Sequence, residues 1–321
     1  MRRMSPRARR LLQLGFGAAV VVGTIAVVGT GPLLRGVLSI SPPAILAAVA
    51  FTAIATAAAA WRWRIVSAVL GLPMTWPAAV RAYYRSQFIN TVLPGGVVGD
   101  VHRAYRQGRD AGSVALAARA VATERIAGQV VQAVITAVVL AVLGLSEPLV
   151  LTFWVGAGLV AVVATGVAIA LTTTRGRAAA RREGVMLRAV FRGPRATLSI
   201  VAASIVVVAA HSATFLIACL AVGVAAPAPQ LIGLAVVALG AAAIPASVGG
   251  WGPREAVSAS AFAIVGLGAG AGLAASTAFG VLTMISVLPG LVVLVGDAVA
   301  ARPVGARPEA ARPLVTTEEL A

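Results

Sequence analysis

A chain of 321 residues would by length alone suggest roughly two domains, but 60% of it is hydrophobic and only 11% charged, less than half the share usual in soluble proteins. The formal net charge of +16 rests on 26 basic residues against 10 acidic ones, and every basic residue is Arg. These arginines gather just outside the apolar runs, where cytoplasmic loops carry them, which argues against nucleic-acid binding and for an integral membrane protein.

Six stretches carry no charge: Leu11 to Leu34, Gly36 to Trp61, Ile126 to Ser146, Pro148 to Thr174, Ala196 to Pro253 and Ala256 to Gly296. A bilayer core takes about 20 apolar residues per helix, so the first four hold one span each and the last two hold two each. Residues 1–10, with Arg2, Arg3, Arg7, Arg9 and Arg10, form a basic cytoplasmic terminus. The apolar run that follows is longer than the 7–15 residues usual in a signal peptide and offers no convincing cleavage site. It reads as a retained first span over 11–31. A turn around Pro32 to Pro42 leads to a second span over 43–60, closed by "WRWR", Trp61 to Arg64. That closure is expected to be an aromatic anchor with snorkelling cations at the interface.

Residues 65–87 then stay near the cytoplasmic face, and "TVLPGGVVGDVHRAY", 91–105, interrupts the pattern. Basic segments flank it on both sides, so 86–100 is expected to dip into the membrane and return. A span over 126–145 exits, 149–171 comes back, and the loop 172–196 is the most Arg-rich of all. Spans over 197–222, 231–247, 254–268 and 272–296 follow, and 297–321 is expected to be a disordered cytoplasmic tail. The expected fold is therefore all-α: a polytopic membrane helix bundle of about eight transmembrane helices plus a re-entrant Pro/Gly-broken segment. Its membrane domain is 11–296, and it is open to division into two related halves.

The interruption has a counterpart in "IPASVGGWGPRE", 244–255. Pro94, Gly95, Gly96 and Gly99 precede Asp100 and Arg103; Pro245, Gly249, Gly250 and Gly252 precede Arg254 and Glu255. Proline and arginine are nine residues apart in both, and the two prolines lie 151 positions apart. Corresponding breaks in two halves are the sequence pointer to a transporter site, because unwound backbone is tolerated at membrane depth only where protein or water meets it. Two helix-ending turns at the interface would leave the same trace. A third cluster is Glu124 and Arg125 at the mouth of the 126–145 span. Arg125, Gln129, Gln132 and Thr136 share one helix face, directed either to a polar cavity or to ordinary interhelical hydrogen bonds. Glu124 is a candidate partner for Arg103 or Arg254. His211, alone in its span, reads first as a packing residue.

With two histidines far apart and one cysteine, Cys219, no metal site or disulfide is expected. Phosphate-loop, nucleophile-elbow and dinucleotide motifs are absent from the sequence, and no cofactor is expected.

The stretches "FINTVLPGGVVGDVHRAY", "ERIAG" and "IPASVGGWGPREA" resemble the lysylphosphatidylglycerol synthase transmembrane-region family, also called flippase-like proteins. The likeness runs from the first span to the last. The resemblance places the family's motif on Asn90, Leu93, Pro94, Gly99, Asp100 and Arg103, on Glu124 and Arg125, and on Ile244, Pro245, Gly249, Gly250, Gly252, Arg254 and Glu255. Val98 stands where a glycine is common, and the last span lacks an Arg near Met284 to Ser286. Full-length synthases add a cytoplasmic aminoacyl-transfer domain, so lysyl transfer is not expected of this chain alone. A plasma-membrane lipid flippase, or a translocator of a lipid-linked substrate, is the expectation, with both termini cytoplasmic. Arg103 and Arg254 would hold an anionic head group, and Asn90, Asp100, Glu124, Arg125, Gln129 and Glu255 would share the site. A membrane-embedded lipid transferase and a scaffold for a separate cytoplasmic transferase are the alternatives. A homo-oligomer stays open.

Overall fold

The computed structural model describes residues 30–93, 96–143, 174–242 and 251–300. Among these residues the fold is all-helical. The helices are α1 (Gly31–Leu38), α2 (Pro42–Val69), α3 (Trp76–Val92), α4 (Val98–Asp110), α5 (Val114–Leu143), α6 (Thr174–Phe191), α7 (Pro194–Ala221), α8 (Ala228–Ala242), α9 (Pro253–Ile264), α10 (Ala269–Ser286) and α11 (Pro289–Ala300). Proline opens α2, α7, α9 and α11, where its missing N–H costs nothing and its φ already suits a helix. The Ser41 side chain also caps α2 by accepting from the Ala44 N–H.

Four apolar runs are long enough to cross a bilayer: Pro42–Val69, Val114–Leu143, Pro194–Ala221 and Ala269–Val299. Residues 11–29 of the first expected span, the expected span over 149–171, the 301–321 part of the tail and the 1–10 terminus lie outside the described residues, and the expected turn around Pro32 to Pro42 holds the short helix α1. The remaining expectations need adjustment. Segment 254–268 is the 12-residue α9, about 18 Å long at 1.5 Å per residue and short of a hydrocarbon core of about 30 Å. Gly266 (φ 81°) and Gly268 (φ 86°) turn the chain out of it. The 272–296 span is two helices, because Pro289 cannot donate the bond that would continue α10. Asp297, expected in the tail, is part of α11. Segment 86–100 is the junction of α3 and α4, which pack against each other.

The largest correction concerns "WRWR". α2 does not end there but runs on to Val69. Trp61 is exposed, edge-on to Trp76, with Arg64 over its ring, as the anchor reading expects. Arg62 and Trp63 face the opposite way and are buried.

Helices α2, α7 and α10 pack mutually at the centre, with α5 and α8 alongside. The core is built from Phe215, Phe262 and Phe279 set among Ala48, Ala235, Ala275 and Ala278. Phe215 and Phe279 have ring centroids 5.6 Å apart. Small residues matter because lipid-embedded helices associate through close packing rather than water exclusion. A close approach is at Gly272 of α10, where a Cβ would run into the Ser258 carbonyl of α9. The α3–α4 hairpin lies against α2 and α5, α11 covers α3, and α1 lies on α10.

Gly272→Leu should separate α9 from α10 and destabilise the fold by about 1–3 kcal/mol. Gly240→Ala, which meets open space, should leave thermal unfolding in detergent unchanged or slightly raised.

Candidate functional site

The α3–α4 junction is a hydrogen-bonded clamp. Gly96 has φ 62°, a left-handed turn that glycine makes without strain. Gly99 begins α4 so close to α3 that a Cβ there would strike the Ser86 carbonyl. Its N–H donates to Asn90 Oδ1 at 2.7 Å. Asp100, in the first turn of α4, accepts from Ser86 Oγ at 3.1 Å, Asn90 Nδ2 at 3.2 Å and Arg103 Nη2 at 3.0 Å, and also from Arg125. The glycines are thus explained by close helix packing and a tight turn. Pro94 and Gly95 lie outside the described residues.

Beneath the clamp sits Glu124 of α5, with no exposed surface. Arg62 donates to its Oε1 from Nε at 2.9 Å and from Nη2 at 2.5 Å, and the Tyr83 hydroxyl adds a third donor at 3.2 Å. Arg103 Nη2 reaches Oε2 at 3.2 Å. The Arg103 guanidinium is held between the rings of Trp63 (4.4 Å) and Tyr83 (4.3 Å), a desolvated cation–π arrangement worth about 2 kcal/mol. Arg62 Nη1 donates to Ser204 of α7 at 2.9 Å. One network therefore joins α2, α3, α4, α5 and α7.

The second stretch folds on a related plan. Gly252, at φ 117°, caps α9, and its N–H donates to Glu255 Oε2 at 2.7 Å. Arg254 donates from Nε to Glu255 Oε1 at 3.1 Å and to Ser276 Oγ at 3.0 Å, with its guanidinium over Phe279 at 4.9 Å and Trp251 at 5.7 Å. Pro245, Gly249 and Gly250 lie outside the described residues. The equal Pro-to-Arg spacing does not survive as equal geometry: Arg103 is the sixth residue of α4 and Arg254 the second of α9. The carboxylates match instead. Asp100 and Glu255 are each the third residue of their helix, where an acid opposes the positive end of the helix dipole.

Both stretches border one cavity of about 750 Å³. Asn90, Gly96, Asp100, Arg125, Gln129 and Arg254 line it, and Arg62 also reaches its wall. Arg103 does not: it is 1% exposed and lies in the network behind Asp100. Glu124 and Glu255 are likewise buried behind the wall, and Glu124 pairs with Arg103 as anticipated but not with Arg254. Gln132 and Thr136 bond across to the Val236 carbonyl, the ordinary interhelical role, although Gln132 also borders the cavity.

Arg62 is the site residue that sequence reasoning missed. Its place beside Trp61, where the charge-free run ends, looked like a helix end at the interface. The available signal was Gly128 in "ERIAG": a Cβ there would come within 2.7 Å of the Arg62 guanidinium. Gly280 does the same for Arg254, at 2.6 Å. Among the described residues, no group of three His, Cys, Asp or Glu could hold a metal ion.

Glu124→Gln should be severely destabilising, by about 3–5 kcal/mol, because Arg62 and Arg103 would lose a buried counter-charge. Glu183→Gln, which breaks the exposed 2.8 Å pair with Arg119, should cost about 1 kcal/mol or less. Thermal unfolding of the two purified variants makes the comparison.

No curated protein and no solved structure matches the chain. The family model described as "Lysylphosphatidylglycerol synthase TM region" matches residues 10–290, and the described part of that span holds α4 and α9, their carboxylates and the shared cavity. The chain belongs to the lysylphosphatidylglycerol synthase transmembrane-region family, a family of membrane proteins.

Proposed function

We propose that this protein is a lipid flippase, or a translocator of a lipid-linked substrate, that docks the anionic head group of its cargo in the cavity bordered by Arg125 and Arg254. The observation that carries this reading is a charge imbalance. Four guanidiniums, Arg62, Arg103, Arg125 and Arg254, meet three carboxylates, Asp100, Glu124 and Glu255. One cationic charge is left over at the cavity. Arg125 carries it best, since its side chain is 41% exposed and its Nε has no partner. A planar guanidinium with unused donors suits a phosphate or phosphodiester.

The walls support an amphiphilic cargo. Asn90, Gln129 and Gln132 give the cavity polar contacts, while Val97 just before α4, Val101 and Tyr105 on α4 and Val114 on α5 line it and are also exposed. An acyl or prenyl tail would leave along that apolar side. Arg103, the sequence-based choice for the head group, acts in this reading as the brace that holds Asp100 and Glu124. A transferase mechanism with Asp100 or Glu255 as base fits less well, because every carboxylate oxygen of both accepts at least one hydrogen bond. The basic segments at 81–125 and 175–195 support a plasma-membrane topology with both termini cytoplasmic.

Losing one charged hydrogen bond to the head group, worth about 1.5–3 kcal/mol, should slow translocation of a limiting lipid roughly tenfold or more in the Arg125→Gln and Arg254→Gln variants. The measurement is leaflet exchange of a labelled anionic phospholipid in liposomes, with the exposed Arg119→Gln as control. Monodisperse variants that move the lipid at the wild-type rate would sink the assignment.

A further inference from the structure

Away from the cavity, α3, α4 and α11 bring three arginines onto one carboxylate. Asp297 of α11 accepts from Arg106 at 2.7 Å, from Arg81 at 3.3 Å and from Arg85. Three guanidiniums against a single carboxylate leave two positive charges over. The cluster is also short of acceptors: the Arg85 side chain is 8% exposed, yet its Nε has no partner, and His102 Nδ1 is buried without one. Burial, then the Arg85 and Arg106 guanidiniums, hold the His102 imidazolium below the ordinary histidine range, as expected where positive charge is already in excess.

The site is open on one side and apolar below. Arg81 and Arg106 side chains are 64% and 46% exposed. On α11, Val292, Val295 and Val299 are all exposed on the helix face opposite Asp297, which marks that face as the lipid-facing side of an apolar run long enough to cross a bilayer. Guanidiniums at the end of a lipid-facing helix lie at the depth of head groups, where Arg contacts phosphate in two places at once. We infer that Arg81, Arg85 and Arg106 form a binding site for the phosphate of an anionic membrane lipid, separate from the cavity, in which Asp297 fills only part of the acceptor demand. This inference does not depend on transport: a non-transporting member of the family with the same cluster would bind the same lipid.

The test uses the full chain in nanodiscs containing a trace of photoactivatable phosphatidylglycerol, with the reactive group in the acyl chain next to the head group, and maps labelled peptides by mass spectrometry. Labelling of residues 289–300 should exceed that given by the matching phosphatidylcholine probe by about fivefold. Arg81→Gln/Arg106→Gln, which alters only exposed side chains, should bring it down to the phosphatidylcholine level. Arg125→Gln should leave it unchanged even if transport is lost, which separates this site from the cavity. Equal labelling by the two lipids, or labelling indifferent to the double substitution, overturns the inference. So does displacement by inorganic phosphate in the tens of millimolar, which would assign the arginines to the free ion instead.

Discussion

Burying an ionised carboxylate costs several kcal/mol unless cations meet it, and the placement of Glu124 at the centre of this bundle sets the terms for much that surrounds it. Arg62 and Arg103 must come inside to neutralise it. Arg103 then brings a charge more than Glu124 can absorb, so Asp100 is drawn in from the start of α4. Asp100 in turn holds Arg125 at the cavity wall. Each step trades one desolvated charge for another, and the sequence ends at the cavity with a guanidinium that the protein itself does not fully satisfy.

The 251–255 stretch reaches a similar end by a shorter path. Glu255 both caps α9 and holds Arg254, so one carboxylate does what Asp100 and Glu124 share on the other side. The common device is an acid in the third position of a helix. A helix N-terminus offers unpaired N–H groups and positive potential, which keeps the acid charged and therefore able to fix an arginine in an apolar setting.

Much of this was legible in the sequence. The charge-free runs located α7 nearly residue for residue and the apolar parts of α2 and α5, because a bilayer demands long apolar segments, but they missed the charged turns by which α2 runs on to Val69 and α5 begins at Val114. Of the two Pro–Gly–Arg stretches, the described residues Gly96, Asp100 and Arg254 line one cavity. What periodicity could not convey was which way a charged residue inside a long helix faces. Arg62 and Arg64 sit two positions apart, and only packing decides that one goes in and the other out. The same holds for Arg103: its spacing matched Arg254, but a ring on either side of it turns it into an internal brace. The ends of α9 and the break before α11 depended on Gly266, Gly268 and Pro289, breakers that hydropathy averages over.

Gly128 and Gly280 leave just the room that the Arg62 and Arg254 guanidiniums occupy, and hydrogen bonds hold both side chains in place there. A long cation on an open surface surrenders rotational freedom when it grips a ligand, about 0.5–1.5 kcal/mol for each side chain immobilised. Here that entropy is lost once, when the chain folds, and never again at each encounter. For the head-group docking proposed above, arginines fixed in advance would bind more tightly than flexible ones, because less ordering remains to be done at each encounter.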